Sequence, residues 1–158
     1  MLQLIDLRTT ASDERSWIPT FDWTVEYEHP RWWNRQLGDD PWLVHVLEDG
    51  EEVARVDFDD PGCINHYYGG VPELEDERLE IQYIEVATAA RGRGIGGQVV
   101  RRLADRHPDR RLFAYSVDAD WFWERLGWKP FYDSRYGSAG SPLFIQPEVS
   151  SNSTRGAL

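Results

Sequence analysis

The sequence is poor in cysteine and in long apolar runs, and each shortage excludes a kind of site or a class of protein. The one cysteine, Cys63, excludes an intramolecular disulfide framework and a cysteine-based zinc cluster, and we predict no bound metal. No apolar run approaches the roughly 18 residues of a membrane-spanning helix, so no membrane partner is expected. The first residues also lack the basic segment and long apolar stretch of a signal peptide. We therefore expect a cytoplasmic protein.

Negative charge is what the sequence has in excess, and it is unevenly placed. The formal net charge is −11; residues 1–78 carry 19 acidic against 6 basic side chains, and residues 79–158 carry 9 against 11. Within residues 91–111, seven arginines accompany two aspartates. Most of the surface should repel a nucleic-acid backbone, so no nucleic-acid partner is expected. The arginine-rich segment, in contrast, suits a small polyanion.

A length of 158 residues indicates one domain. We assign residues 1–147 to it and residues 148–158 to a flexible polar tail. Alternation and turn residues predict a strand at 2–7, one or two short helices within 10–40, a hairpin at 41–58 and a long loop at 58–78. Further along, they predict a strand at 79–87, a helix from the following turn to His107, a strand at 111–117, a helix at 121–126, and strands at 128–132 and 143–146.

The segment Arg91-Gly-Arg-Gly-Ile-Gly-Gly97 lies between a predicted strand and a predicted helix. Glycine allows backbone conformations that aim successive N–H groups into one concavity, and the two arginines add charge. This predicts a phosphate cradle; a glycine-rich turn with surface arginines is the alternative. The run also satisfies G-x-G-x-x-G, the dinucleotide fingerprint, but a hairpin precedes it and only about 60 residues follow, which disfavours a nicotinamide-nucleotide enzyme.

Two blocks of the sequence resemble the GCN5-related N-acetyltransferases. Their signature turn is [Gln/Arg]-x-x-Gly-x-[Gly/Ala], which Arg91-Gly-Arg-Gly94-Ile-Gly96 matches. A second block, from Ser116 to Trp128, stands in register with the family's Asn-x-x-Ala…Tyr-Glu-x-Leu-Gly-Phe. The resemblance covers roughly residues 2–147. It implies a single-domain α/β fold with a mixed, mostly antiparallel central sheet flanked by helices, in which a splayed strand pair holds acyl-CoA.

The resemblance also implies where acetyl-CoA, the expected co-substrate, would bind. The backbone of Ile84, Glu85 and Val86 would pair with the pantetheine arm. The pyrophosphate would lie against the turn, which comprises Arg91, Gly92, Arg93, Gly94, Ile95, Gly96 and Gly97. Ser116 and Trp123 occupy the positions of the family's Asn and Tyr and complete the expected cofactor-binding set. Arg101 and Arg102 are candidates for a further phosphate, with a solvated basic face as the alternative.

The implied reaction is direct attack of an amine on the thioester, without a covalent enzyme intermediate, so Cys63 is not needed as a nucleophile. Glu80 is the candidate general base, because histone-acetylating members of the family place a glutamate eleven residues before the turn. Simple strand alternation puts Glu80 on one face with Gln82, Ile84 and Val86, and Glu85 on the other. An exposed carboxylate at the start of the strand is the alternative.

The general acid is where the sequence departs from the family. Trp123 stands in place of the usual Tyr, and an indole N–H cannot usefully protonate a thiolate. Three interpretations stay open. Another hydroxyl, Tyr132 or Tyr83, is the acid; the thiolate leaves unaided; or the domain is a non-catalytic acyl-CoA-binding module.

Aromatic residues in the N-terminal segment and the long loop are candidates for acceptor binding, namely Trp32, Trp33, His66, Tyr67 and Tyr68. Aromatic rings near carboxylates suit an amine that is cationic before deprotonation. The resemblance thus implies an acetyl-CoA-dependent N-acetyltransferase that acts on an amine of a small molecule or peptide. The identity of the acceptor and the oligomeric state stay open, and a homodimer is among the states that the sequence allows.

Overall fold

The chain forms a seven-stranded sheet with the order β1-β2-β3-β4-β5-β7-β6. The computed structural model describes residues 1–9, 17–35 and 37–148. The strands are β1 (Leu2–Arg8), β2 (Trp42–Glu48), β3 (Glu51–Asp59), β4 (Arg78–Val86), β5 (Arg111–Tyr115), β6 (Lys129–Phe131) and β7 (Leu143–Ile145). All neighbouring strands are antiparallel except β4 and β5, which are parallel. The expected mixed, mostly antiparallel sheet is confirmed.

Three α-helices accompany the sheet in the described part of the chain: α1 (Pro30–Trp33), α2 (Ile95–Arg106) and α3 (Asp120–Arg125). The four-residue spacing predicted α2, which packs on β3 and β4 through a buried stripe of Ile95, Val99, Val100 and Leu103. Residues 10–16, part of the region predicted to hold short helices, and the tail from 149 onward lie outside the described residues. None of the helices described here has the length and apolarity to span a membrane.

The long loop between β3 and β4 is packed against the sheet. Ile64, Tyr68, Val71 and Leu74 contact a small apolar cluster that includes Phe113, Phe131, Leu143 and Ile145. Tyr68 also forms a backbone bridge with Asp133, in the segment after β6. The loop therefore forms a cover over β5, β7 and β6, and it crosses the sheet beside the start of β4.

One extra residue in β4 changes which side chains share a face of the sheet. The β3–β4 pairs are Asp59 with Glu80, Phe58 with Ile81, Asp57 with Tyr83, Val56 with Ile84, Arg55 with Glu85 and Ala54 with Val86, which leaves Gln82 unpaired. Directly paired residues project to the same face, and a bulge reverses the alternation beyond it. Glu80 therefore shares a face with Tyr83 and Glu85. The prediction that Glu80 lies on the same face as Ile84 and Val86 is wrong.

Candidate active site

Strands β4 and β5 separate partway along the sheet. They pair only where Arg78, Leu79 and Glu80 meet Arg111, Leu112 and Phe113. Beyond Glu80, β4 keeps β3 on one edge and has no strand on the other among the described residues. An open strand edge presents N–H and C=O groups that require hydrogen-bond partners. The expected splayed strand pair is thus present.

A cavity of about 730 Å³ occupies the gap between the separated strands. It runs from the open half of β4 to the glycine-rich turn and is also lined by residues of α3. Its volume lies within the range of ordinary small-molecule and cofactor sites. Ten of the predicted cofactor-binding residues line it: Ile84, Glu85, Val86, Arg91, Gly92, Gly94, Ile95, Gly96, Gly97 and Trp123.

The glycine-rich turn requires glycine at several of its positions. Gly92 and Gly94 have φ values of +78° and +72°, which side-chain-bearing residues rarely adopt. A Cβ atom on Gly96 would stand 3.0 Å from the ring of Phe122 and 3.5 Å from a methyl group of Val86. Helix α2 begins directly after Gly94, so its first-turn amides lack helical partners and favour an anion. The absence of side chains keeps this end of the cavity open.

Two of the predicted cofactor-binding residues, Arg93 and Ser116, do not line the cavity. Arg93 pairs with the Glu48 carboxylate at the end of β2. Ser116 is buried, and its hydroxyl donates to Asp120 Oδ1 at 2.6 Å. Neither residue lines the cavity, so both side chains stabilise the framework, and their contact with a cofactor stays a prediction.

Trp123 lines the cavity but is almost fully buried, with 4% of its surface exposed. Its ring packs against Trp128 at a centroid distance of 4.8 Å. Trp123 therefore forms part of the apolar wall of the cavity and does not act as a proton donor.

Glu80 sits where the two strands separate. Only 8% of its surface is exposed, and the described residues offer its carboxyl neither a hydrogen bond nor an ion pair. A Cβ atom on Gly62 would stand 2.5 Å from Glu80 Cβ, so the loop lies directly over it. Burial raises the pKa of Glu80 to about 7, and the nearby carboxylates of Asp59 and Asp57 add to the rise. A carboxyl group with this pKa is suited to accept a proton near neutral pH.

Two tyrosine hydroxyls belong to residues that line the cavity, Tyr83 and Tyr115. Burial and the charge of Glu85 raise the pKa of Tyr83 to about 12. Tyr115 ends β5; its hydroxyl accepts from the Asn65 N–H at 2.9 Å and donates to the Cys63 carbonyl at 2.8 Å. Burial raises the pKa of Tyr115, and Glu80 contributes to this rise.

Tyr132, the other predicted acid, is 47% exposed and does not line the cavity. Sequence reasoning missed Tyr115. The one available signal was its place at the end of a predicted strand that follows helix α2.

The acceptor candidates form two groups, and each group touches one cavity tyrosine. Trp32 stacks on Tyr83 with ring centroids 4.4 Å apart, and the indole N–H of Trp33 donates to Glu85 at 2.9 Å. Tyr68 packs edge-on against Tyr115 at 5.5 Å. None of these three residues lines the cavity itself, so their part in binding an acceptor stays a prediction.

The other two loop candidates lie further out. The rings of His66 and Tyr67 are 4.1 Å apart, and Arg135 lies 3.8 Å from the Tyr67 ring. Within the described residues, no group of three or more His, Cys, Asp or Glu side chains is arranged to hold a metal ion.

A comparison with protein families identifies the family of this chain. The model described as "Acetyltransferase (GNAT) family" matches residues 6–128. The chain belongs to this family. The matched region contains the splayed strands, the glycine-rich turn and α3, which are the parts that form the cavity.

Solved structures show the same fold at low sequence identity. An acetyltransferase from Thermus thermophilus is 21% identical with a TM-score of 0.51; the match covers 70% of this chain and 66% of that one, just under two thirds. AtaTR, solved with AcCoA, is 12% identical with a TM-score of 0.57 and coverages of 92% and 94%. A KacTA–DNA complex is 12% identical with a TM-score of 0.60 and coverages of 92% and 94%.

A comparison with curated proteins finds no match. The expectation of no nucleic-acid partner gains no support from the solved structures, since one of these GNAT-like structures is a complex with DNA. That expectation rests on net charge alone.

Proposed function

We propose that this protein is an acetyl-CoA-dependent N-acetyltransferase that moves an acetyl group to an amine of a small molecule or peptide. The observation that carries the proposal is the open edge of β4, which runs along one cavity from Ile81, next to Glu80, to the glycine-rich turn. Family membership and the AcCoA-bound structure of AtaTR support the choice of co-substrate.

The residues present fit acetyl-CoA by their chemistry. Along Ile84, Glu85 and Val86, β4 bonds to β3 on one edge, and the backbone groups that point to its other, open edge offer hydrogen-bond partners to the amides of a pantetheine arm. Gly92, Gly94 and the start of α2 suit a pyrophosphate, and the space that a Gly96 side chain would fill stays free. When bound, acetyl-CoA supplies a thioester carbonyl that an amine can attack.

Glu80 prepares the amine. An ammonium group has no free electron pair with which to attack the thioester, so its proton must first be removed. Glu80 lies where the strands part and has a pKa of about 7, which leaves a large ionised fraction at neutral pH. Because Gly62 lies over the carboxyl group and Glu80 does not line the cavity, we propose that the carboxyl group takes the proton through one water molecule.

A cavity tyrosine then supplies a proton to the leaving thiol. The raised pKa values of Tyr83 and Tyr115 keep both hydroxyls protonated at neutral pH. Tyr115 is the stronger candidate, because the Asn65 N–H holds its oxygen in place. Its O–H donates to the Cys63 carbonyl in this structure, so it must turn from that carbonyl to the thiolate to transfer its proton. In this assignment, a cavity tyrosine is the acid in place of the Tyr that the family has at the position of Trp123. The reaction needs no covalent enzyme intermediate.

Release of free thiol from acetyl-CoA in the presence of a panel of amines tests the proposal. We expect turnover with at least one amine, and we expect Glu80→Gln to slow it while acetyl-CoA binding persists. The buried Trp123 favours one other candidate, a non-catalytic acyl-CoA-binding module. Tight acetyl-CoA binding without turnover of any amine would select that candidate, and absence of acetyl-CoA binding would contradict both.

A further inference from the structure

A positively charged side chain, Arg35, lies on the face of the sheet that carries Glu80. Its Nη2 atom pairs with the buried Asp57 carboxylate of β3 and lies 3.5 Å from Gln82 Oε1 of β4. Its guanidinium carbon lies 4.3 Å from the ring centroid of Trp32. A carboxylate, an amide oxygen and an aromatic face are groups that bind a guanidinium or ammonium ion. Trp32, Asp57 and Gln82 thus form a cation site.

The cation site adjoins both the cavity and the candidate base. Gln82 and Tyr83 line the cavity, and Tyr83 is the direct cross-strand partner of Asp57. Glu80 is the cross-strand partner of Asp59, two residues further along β3. The charges of Asp57 and Asp59 both act on Glu80, since both contribute to the rise of its pKa. The cation site and Glu80 are therefore neighbours on one face of the sheet.

Arg35 fits the cation site incompletely. A guanidinium group has five N–H donors, and within the described residues Arg35 uses only those on Nη2. Its Nε is buried and has no hydrogen-bond partner there. A buried donor without a partner is destabilising. Burial also raises the pKa of Asp57, and the charge of Arg35 offsets this rise only in part. A cation with better geometry is therefore able to displace Arg35.

Negative charge exceeds positive charge around the cation site. Glu80 is 8% exposed, and neither Glu80 nor Asp59 has a hydrogen bond or ion pair to any residue that the structure describes. In the same part of the chain, Arg35 is the one cation paired with this group of three carboxylates, through Asp57. A ligand with two positive charges balances the group better than Arg35 does, with one charge at Asp57 and the other beside Glu80.

We infer that the acceptor carries a second cationic group, and that this group replaces Arg35 in the cation site. This inference rests on the proposed function. The acceptor class is then a diamine, or an amine with a guanidinium group. One nitrogen stays charged between Asp57 and Trp32, while the other loses its proton on the Glu80 side. Arg35, whose side chain is already 33% exposed, turns toward solvent.

The second cationic group takes no part in the bond changes. The free amine forms a nitrogen–carbon bond to the acetyl group as the carbon–sulfur bond breaks. The amine proton passes to Glu80 through water, and the thiolate takes a proton from a cavity tyrosine. The cation site therefore acts on specificity, because it holds the end of the acceptor that does not react.

Thiol release by the full chain, with acetyl-CoA and matched amines, tests the inference. The probes are straight-chain diamines of three to six carbons, each compared with the monoamine of equal length. We expect kcat/KM for at least one diamine to exceed that of its monoamine by about tenfold or more, because only the diamine forms a charge-assisted contact with Asp57. Asp57→Asn should remove most of this preference. Asp133→Asn is the matched control, since Asp133 is also buried and paired with an arginine, and should keep the preference.

Replacing Arg35 should act in the opposite direction. Arg35→Gln removes the internal competitor, so KM for the preferred diamine should fall several-fold, and by more than KM for the monoamine. A purely structural ion pair predicts the reverse, because its loss would raise KM for both amines. Arg31→Gln, which changes an exposed arginine on α1, is the control and should leave both KM values as in the wild type.

Three outcomes would overturn the inference. They are a wild type that uses diamines and monoamines equally well, an Asp57→Asn variant that keeps the full preference, and an Arg35→Gln variant with a raised KM for the diamine. Turnover of monoamines at an equal rate would leave the proposed function intact. Acetyl-CoA binding without turnover of any amine would instead remove the proposed function, and the acceptor class with it, so the two failures are distinguishable.

Discussion

The two halves of β4 differ in how their edges are used. Arg78, Leu79 and Glu80 pair with β5, and Glu80 also pairs with Asp59 of β3, so this half lies inside the sheet. The segment from Ile81 to Val86 pairs with β3 only, and its other edge faces the cavity. One continuous strand thus serves as framework in its first half and as binding surface in its second.

The difference shows that the candidate site comes from a change in strand pairing. The bulge at Gln82 and the separation from β5 both occur within three residues of Glu80. The buried, unpartnered carboxyl is therefore located at the boundary between the two halves. A base at this boundary is shielded from solvent by the framework and is still adjacent to the open edge.

Replacing the boundary carboxyl should have the largest effect. Glu80→Gln should lower kcat by about 10²- to 10⁴-fold, the usual contribution of a general base, with little change in acetyl-CoA affinity. Thiol release and calorimetry measure the two quantities. Glu73→Gln, an exposed carboxylate in the long loop, is the control. An activity of Glu80→Gln equal to that of the control would exclude Glu80 as the base.

Blocking the cavity beside the open half of β4 should have the next-largest effect, a loss of acetyl-CoA affinity. A leucine in place of Gly96 would push against Phe122 and Val86 and fill the cavity end, so acetyl-CoA affinity should fall by about tenfold or more. Gly38→Leu is the matched control, since a Cβ there has no neighbour within 4 Å. Equal affinities of the two variants, measured by calorimetry, would place the co-substrate elsewhere.

Removing the hydroxyl of a cavity tyrosine should lower kcat by a smaller factor than removing the Glu80 carboxylate does. Thiols are fairly acidic leaving groups, so loss of the proton donor should cost only about tenfold in kcat. We expect this loss for Tyr115→Phe, a lesser loss for Tyr83→Phe, and none for Tyr132→Phe. Steady-state rates at saturating acetyl-CoA provide the measurement. Unchanged rates in all three variants would indicate that the thiolate leaves unaided.

A further expected effect concerns the free energy of unfolding rather than a rate or an affinity. The folded-state pKa of Glu80, about 7, exceeds the ordinary value of 4.5, so the folded protein binds the proton more tightly than the unfolded chain. The contribution of Glu80 to stability should therefore fall as pH rises from about 4.5 to 7, by up to about 1.4 kcal/mol per unit of difference. Glu80→Gln removes this loss. Its melting temperature should exceed that of the wild type at pH 8 and match it near pH 4; a lower value at pH 8 would contradict the pKa shift.

The parts of the fold that depend on local sequence pattern could be predicted. Helix α2 followed from the four-residue spacing of Ile95, Val99 and Leu103, and the hairpin from Asp49-Gly50. The glycine-rich turn was recognisable because positive φ at Gly92 and Gly94 restricts the residue type.

The parts that depend on distant pairing could not be predicted. The bulge at Gln82 is a property of how β4 meets β3, and nothing in the β4 sequence alone specifies it. The cover of Gly62 over Glu80 and the hydrogen bonds of Tyr115 to the long loop join residues that are 18 or more positions apart. Sequence reasoning therefore identified the candidate base but placed it on the wrong face.

Amide hydrogen exchange with and without acetyl-CoA tests the account most directly. Acetyl-CoA should slow exchange in Ile81–Val86 and in the turn from Arg91 to Gly97, and leave Arg78–Glu80 unchanged, because only the open half has amides free to pair with it. Protection that is absent, or that is spread equally over both halves of β4, would contradict the assignment of the open strand edge as the acetyl-CoA site.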